Sequence, residues 1–80
     1  MSDPRPVHVV IHGDGWAVER EGAERPISIH YTLLAAERAG HALARDEQTE
    51  LVIHSRDGQV HTRQGYGQGR TDRGTDADAG

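Results

Sequence analysis

The dipeptide Asp57-Gly58, set between the extended segments Glu50 to Arg56 and Gln59 to Arg63, is the strongest short hairpin signal in the chain and constrains its fold more than any other feature. A two-residue type I′ turn there sets Arg56 against Gln59, Ser55 against Val60, His54 against His61, Ile53 against Thr62 and Val52 against Arg63. Leu51, Ile53 and Val60 then face a core. His54 and His61 become direct cross-strand neighbours on the other face, with Cβ atoms roughly 5 Å apart. Gly13-Asp14-Gly15 acts in the same way between Val7 to His12 and Trp16 to Arg20. A two-residue loop at Gly13-Asp14 or at Asp14-Gly15 gathers Val7, Val9, Ile11, Trp16 and Val18 on the core face. His8, Val10, His12, Ala17 and Glu19 fall on the other.

Between the hairpins, Pro26 enters a short extended piece, Ile27 to His30, and Thr32 is placed to cap a helix running to about Arg45. On a 3.6-residue period Leu33, Ala36, Gly40, Leu43 and Ala44 form one stripe, with small residues where a sheet approaches closely. Leu34, Arg38, His41 and Arg45 form the opposite row. The expected architecture is α+β: two β-hairpins flanking one helix (ββαββ), an antiparallel sheet with the helix packed on one face. Residues 1–6 are expected to be a flexible N-terminus, 7–63 the single domain and 64–80 a Gly/Arg/Asp-rich disordered tail.

At 80 residues there is room for one core only. With 34% hydrophobic residues, no Phe and one Trp, that core must be thin and built from aliphatic side chains around Trp16. Small chains bury proportionally little surface, so self-association would add to stability. The absence of cysteine excludes disulfides, thiolate chemistry and zinc ribbons, and fits a reducing compartment. No apolar h-region follows Met1 to Pro6 and no apolar run approaches the length of a membrane span. A cytoplasmic location with no membrane contact is therefore expected. The formal charge of −4 has the opposite sign to that of a usual nucleic-acid binder, although every fixed cation is Arg.

The string from Val7-His8-Val9-Val10 through His12-Gly13-Asp14-Gly15-Trp16-Ala17-Val18, the small residues of the helix, Glu50-Leu51-Val52-Ile53-His54, Arg56-Asp57-Gly58 and Tyr66-Gly67 resembles the bacterial family catalogued as domain of unknown function 2188. The resemblance runs from residue 7 to residue 67 and implies a small bacterial protein, with no assigned activity and no catalytic residues to carry over. The chain departs from the family pattern at the helix start. Ala35 stands where a capping-box Glu is usual, and Leu33 and Leu34 replace polar residues.

Catalysis and cofactors are not expected. Ser28 and Ser55 have no base and orienting partner arranged as a triad. His8 with Glu19 lacks a deep cleft to tune it, and the Gly13-Asp14-Gly15 loop lacks the helix and Lys of a phosphate cradle. Three binding readings remain. The first is a homodimer, or docking of another protein, through the open sheet face or the helix's outer row, with Val10, Val52, His54, His61, Arg63, Leu34, Arg38, His41 and Arg45 as the candidate surface. The second is a metal held by His54 and His61 with His8 or His12. The third is accessory nucleic-acid binding through Arg56, Arg63 and the tail arginines. If His54 and His61 are neighbours, stability should fall below about pH 6 as both rings gain charge.

Overall fold

A computed structural model describes residues 5–66. The elements are β1 (Val7–His12), β2 (Gly15–Arg20), β3 (Ser28–His30), α1 (Leu33–Glu47), β4 (Glu50–His54) and β5 (Val60–Gly65). They make an α+β fold with one helix, but the ββαββ antiparallel layout needs two corrections. The extended piece after Pro26 pairs with β2 as a fifth strand, and the sheet is mixed. Its order is β3-β2-β1-β4-β5, with β1 and β4 parallel and every other pair antiparallel. The physical reason is the crossover. β3, β1 and β4 run the same way, so the chain must return over the sheet to start β4, and α1 is the element long enough to do so.

The first hairpin takes the Gly13-Asp14 alternative. His12 faces Gly15 and Ile11 faces Trp16, and Gly13 alone in the turn has a positive φ, 58°, as a type II′ turn requires. The second hairpin differs from the type I′ expectation. Gly58 N–H donates to the Ser55 carbonyl (2.9 Å) and Ser55 N–H to the Gln59 carbonyl (2.7 Å), closing a three-residue loop in which only Gly58 is left-handed. Asp57 stays out of the left-handed region because its carboxylate is held inside the loop. It accepts from the Ser55 hydroxyl and from Gln59 N–H (3.2 Å), and these donors keep the Asp57 carboxyl below the usual carboxylate range.

Ser55 consequently faces Gln59, not Val60, and His54 faces Val60, not His61. A bulge at His61 absorbs the one-residue shift, so Ile53–Thr62 and Val52–Arg63 pair as the sequence predicts. Val60, expected in the core, is 49% exposed.

The helix begins where Thr32 predicts. Its hydroxyl accepts from Ala35 N–H at 3.1 Å, satisfying one orphan amide of the first turn without the missing Glu. It ends two residues beyond Arg45, at Glu47, with Gln48 in the left-handed region returning its N–H to the Ala44 and Arg45 carbonyls. Ala36, Gly40 and Ala44 are the buried helical residues, and Leu33 and Leu43 pack at the margins. The core they cover is Val7, Val9, Trp16, Val18, Leu51 and Ile53, with Ile11 beside it, as the two hairpin patterns predict apart from Val60. Arg20, at the end of β2, is ion-paired with Glu47 through both guanidinium nitrogens, one contact at 2.7 Å. That pair offsets the poor placement of a carboxylate at a helix C-terminus.

Most of the expected flexible start and tail lies outside the described residues. Within them, Glu21 N–H donates to the Pro6 carbonyl (2.9 Å), β5 runs on to Gly65, and Tyr66 packs against the core with its N–H on the Thr49 carbonyl (3.0 Å). No helix among the described residues is long and apolar enough to cross a membrane.

Gly40 sets how closely α1 sits on the sheet. A Cβ there would lie 2.9 Å from both Leu51 Cδ1 and Val9 Cγ2, two side chains fixed in the core. Replacing glycine by alanine inside a helix ordinarily stabilises it by about 1 kcal/mol. At this position overpacking, about 1–3 kcal/mol, outweighs that gain. Gly40→Ala is expected to lower the urea midpoint, and a raised midpoint would refute the close approach.

Candidate functional site

The helix covers one face of the sheet and leaves the other bare. Cross-strand register orders that open face into two rows, the first with one residue from each strand and the second with one from each strand but β3. Ile29 faces Ala17 and Ala17 faces Val10; one step beyond the Val9–Ile53 pair Val10 stands beside His54, and His54 faces Val60. This row, Ile29–Ala17–Val10–His54–Val60, is apolar except for His54. In the neighbouring row Glu19 faces His8, His8 faces Val52 and Val52 faces Arg63. Ala17 and Val52 are buried beneath their neighbours, whereas Ile29 at one edge is 56% exposed and Ile27 44%.

Of the predicted surface, Val10, Val52, His54 and Arg63 share this face. Arg63 is ion-paired with Glu50 at 3.1 Å. His61 is displaced to the bulge. Leu34, Arg38 and Arg45 are exposed on the helix, but His41 leaves their row for a partner, its Nδ1 lying 2.5 Å from the Tyr66 hydroxyl. Ile27, Ile29, Val60 and Glu21 were not anticipated in the surface. The alternation of Ile27, Ser28 and Ile29 after Pro26 is the signal that identifies the first two as edge-strand residues.

The expected histidine pair is replaced by another, because the parallel β1–β4 pairing brings His8 and not His61 beside His54. Their rings stack with centroids 5.1 Å apart, and His8 Nδ1 lies 2.8 Å from His54 Nε2. His8 Nε2 lies 2.9 Å from Glu21 Oε1, and His54 Nδ1 lies 3.3 Å from the Gly58 carbonyl oxygen. The row thus runs carboxylate, imidazole, imidazole, carbonyl, with an acceptor at either end. Its three hydrogen bonds need three protons, whereas two neutral imidazoles carry two. With two, His8 Nε2–H donates to Glu21 and His54 Nε2–H to His8, leaving the long contact to Gly58 unmade. A third proton supplies the donor that the Gly58 contact lacks. A fourth opposes N–H to N–H between the rings. Of the metal candidates, His12 lies exposed at the turn end of β1 and His61 on the bulge, and no group of three or more metal-ligating side chains converges among the described residues.

Residues 7–66 match the family model described as "Uncharacterized protein conserved in bacteria (DUF2188)". The chain belongs to this family. It is also similar to "Uncharacterized protein YdaT" of Bacillus subtilis (strain 168), with 40% identity over 53 residues, 66% of this chain and 35% of the relative. The chain thus spans about a third of that relative's length. No solved structure matches the chain. The family match takes in both hairpins, the helix and Tyr66, so the open face and the histidine row lie wholly within the shared domain.

The histidine row joins β1 and β4 to the loop after β2 and to the β4–β5 turn. The charged groups around it are Glu19 and Glu21 beside His8, Arg20 next to them, Asp57 in the turn below His54, and Arg63 beyond Val52. His54→Ala is expected to lower the urea midpoint more than His61→Ala, whose ring takes no part in the row. Equal falls would refute the row.

Proposed function

We propose that this bacterial domain is a binding and assembly module that pairs with a second copy of itself through the open face of its sheet. The observation that carries the reading is the apolar row across all five strands, with Ile29 and Val60 exposed at its two ends. A sheet face meant for water alternates to polar side chains, and this row does not. Two further features support a second copy as the partner. The core is thin for a free-standing domain, so covering the face adds apolar burial where it is most needed. The face also carries both signs, Glu19 and Glu50 with Arg63, which suits the self-complementary contact of a two-fold dimer.

Light scattering tests the reading directly. The wild type is expected at twice the 8.8 kDa chain mass, and Ile29→Asp, at an exposed edge position that folding tolerates, at the mass of one chain. A wild type that stays monomeric at its highest soluble concentration would overturn the proposal. A mass that rises only when a short nucleic acid is added would replace it with a nucleic-acid-binding reading.

A further inference from the structure

A second feature lies where β4 ends and α1 begins, sharing only His54 with the rows of the open face. A cleft of about 480 Å³ opens there, within the range of small-molecule sites. Its inner wall is Trp16, Leu33 and Ile53, and its rim is Tyr31, Arg56 and His61. The Arg56 guanidinium lies over the Trp16 ring, 5.6 Å from the centroid, a cation–π contact. Such a contact uses the ring face and leaves the N–H donors open to a forked acceptor.

Three observations indicate what those donors would meet. Like Arg25, Arg38 and Arg45, Arg56 has no carboxylate within ion-pair reach among the described residues, and it alone of these four lines the cleft. Its neighbour Asp57 is turned into the loop, held by Ser55 and Gln59. Acidic residues outnumber arginines in the chain, 13 to nine, yet among the described residues no acidic side chain lines the cleft. The bulge in β5 adds a further nitrogen donor, since the extra residue, His61, reaches the same rim. Opposite stands Tyr31, 95% exposed, an aromatic ring that the fold leaves uncovered.

We propose that this cleft binds a small aromatic carboxylate, its anionic group on the Arg56 fork and its ring against Tyr31 and the apolar wall. The carboxylate supplies the acceptor that Arg56 lacks, in bidentate geometry. The flat ring covers Tyr31 and the exposed parts of the wall without displacing the Arg56–Trp16 contact.

The test uses the full chain, with 1-naphthoate as the probe and 1-naphthylmethanol as its uncharged counterpart. Calorimetry reads affinity, and amide and indole N–H chemical shifts locate the site through Trp16, the single tryptophan. Naphthoate is expected to bind saturably, with shifts concentrated at Trp16, Tyr31, Arg56 and His61, and about tenfold more tightly than the alcohol. Arg56→Gln, at an exposed turn position, is expected to remove that preference. Arg25→Gln, at an exposed position in the connection between β2 and β3, should keep it. No saturable binding, equal affinity for the two probes, a preference that survives Arg56→Gln, or shifts centred elsewhere would each overturn the proposal. Neither variant is placed to read the dimer, so the solution mass separates this site from the open-face reading.

Discussion

The fold depends on the close seating of α1 over the paired strands β1 and β4, which Gly40 permits. With hydrogen as its side chain, the helix backbone comes near enough for Val9 and Leu51 to fill the space a Cβ would take. Ala36 and Ala44, one turn to either side, keep the same spacing. The price of so many small residues is a helix that contributes little apolar bulk of its own. The core is therefore supplied mainly by the sheet, with Trp16 as its one large ring. A single helix placed in this way covers one face of five strands, and everything proposed about function concerns what the rest of the sheet leaves uncovered.

Much of this was legible in the residues. Thr32 marks the helix start, the Leu33–Ala44 stripe marks its buried side, and Gly13-Asp14-Gly15 marks the first hairpin, leaving two registers that share one core face. These features are local, and local geometry decides them. The mixed sheet was not legible from turn signals, because a hairpin specifies its own two strands and not which of them meets the next hairpin. One trace of the answer is present. Leu51, Val52 and Ile53 are consecutively buried, an unbroken apolar run that marks an inner strand with a neighbour on each edge.

The second hairpin shows how one dipeptide serves two turns. Asp-Gly suits a type I′ turn, in which Asp adopts a positive φ, and equally a three-residue loop, in which only Gly does. Ser55 decides between them here, because its hydroxyl and the Gln59 amide hold the Asp57 carboxylate inside the loop. The resulting one-residue offset, and the bulge that corrects it, send Val60 to the open face and His61 to the rim of the cleft. Both candidate surfaces therefore trace back to that loop. The histidine row has a different origin, since it requires β1 and β4 to lie side by side and no local signal announces that.

The parallel pairing of β1 with β4 beneath Gly40 is the claim on which both surfaces rest, and proton–proton contacts measured by nuclear Overhauser spectroscopy test it most directly. Cross-peaks are expected from the Gly40 α-protons to the methyls of Val9 and Leu51, together with backbone contacts between His8 and Val52. A spectrum in which β1 shows contacts to β2 alone, with none to β4, would contradict the fold and leave neither the apolar row nor the histidine row in place.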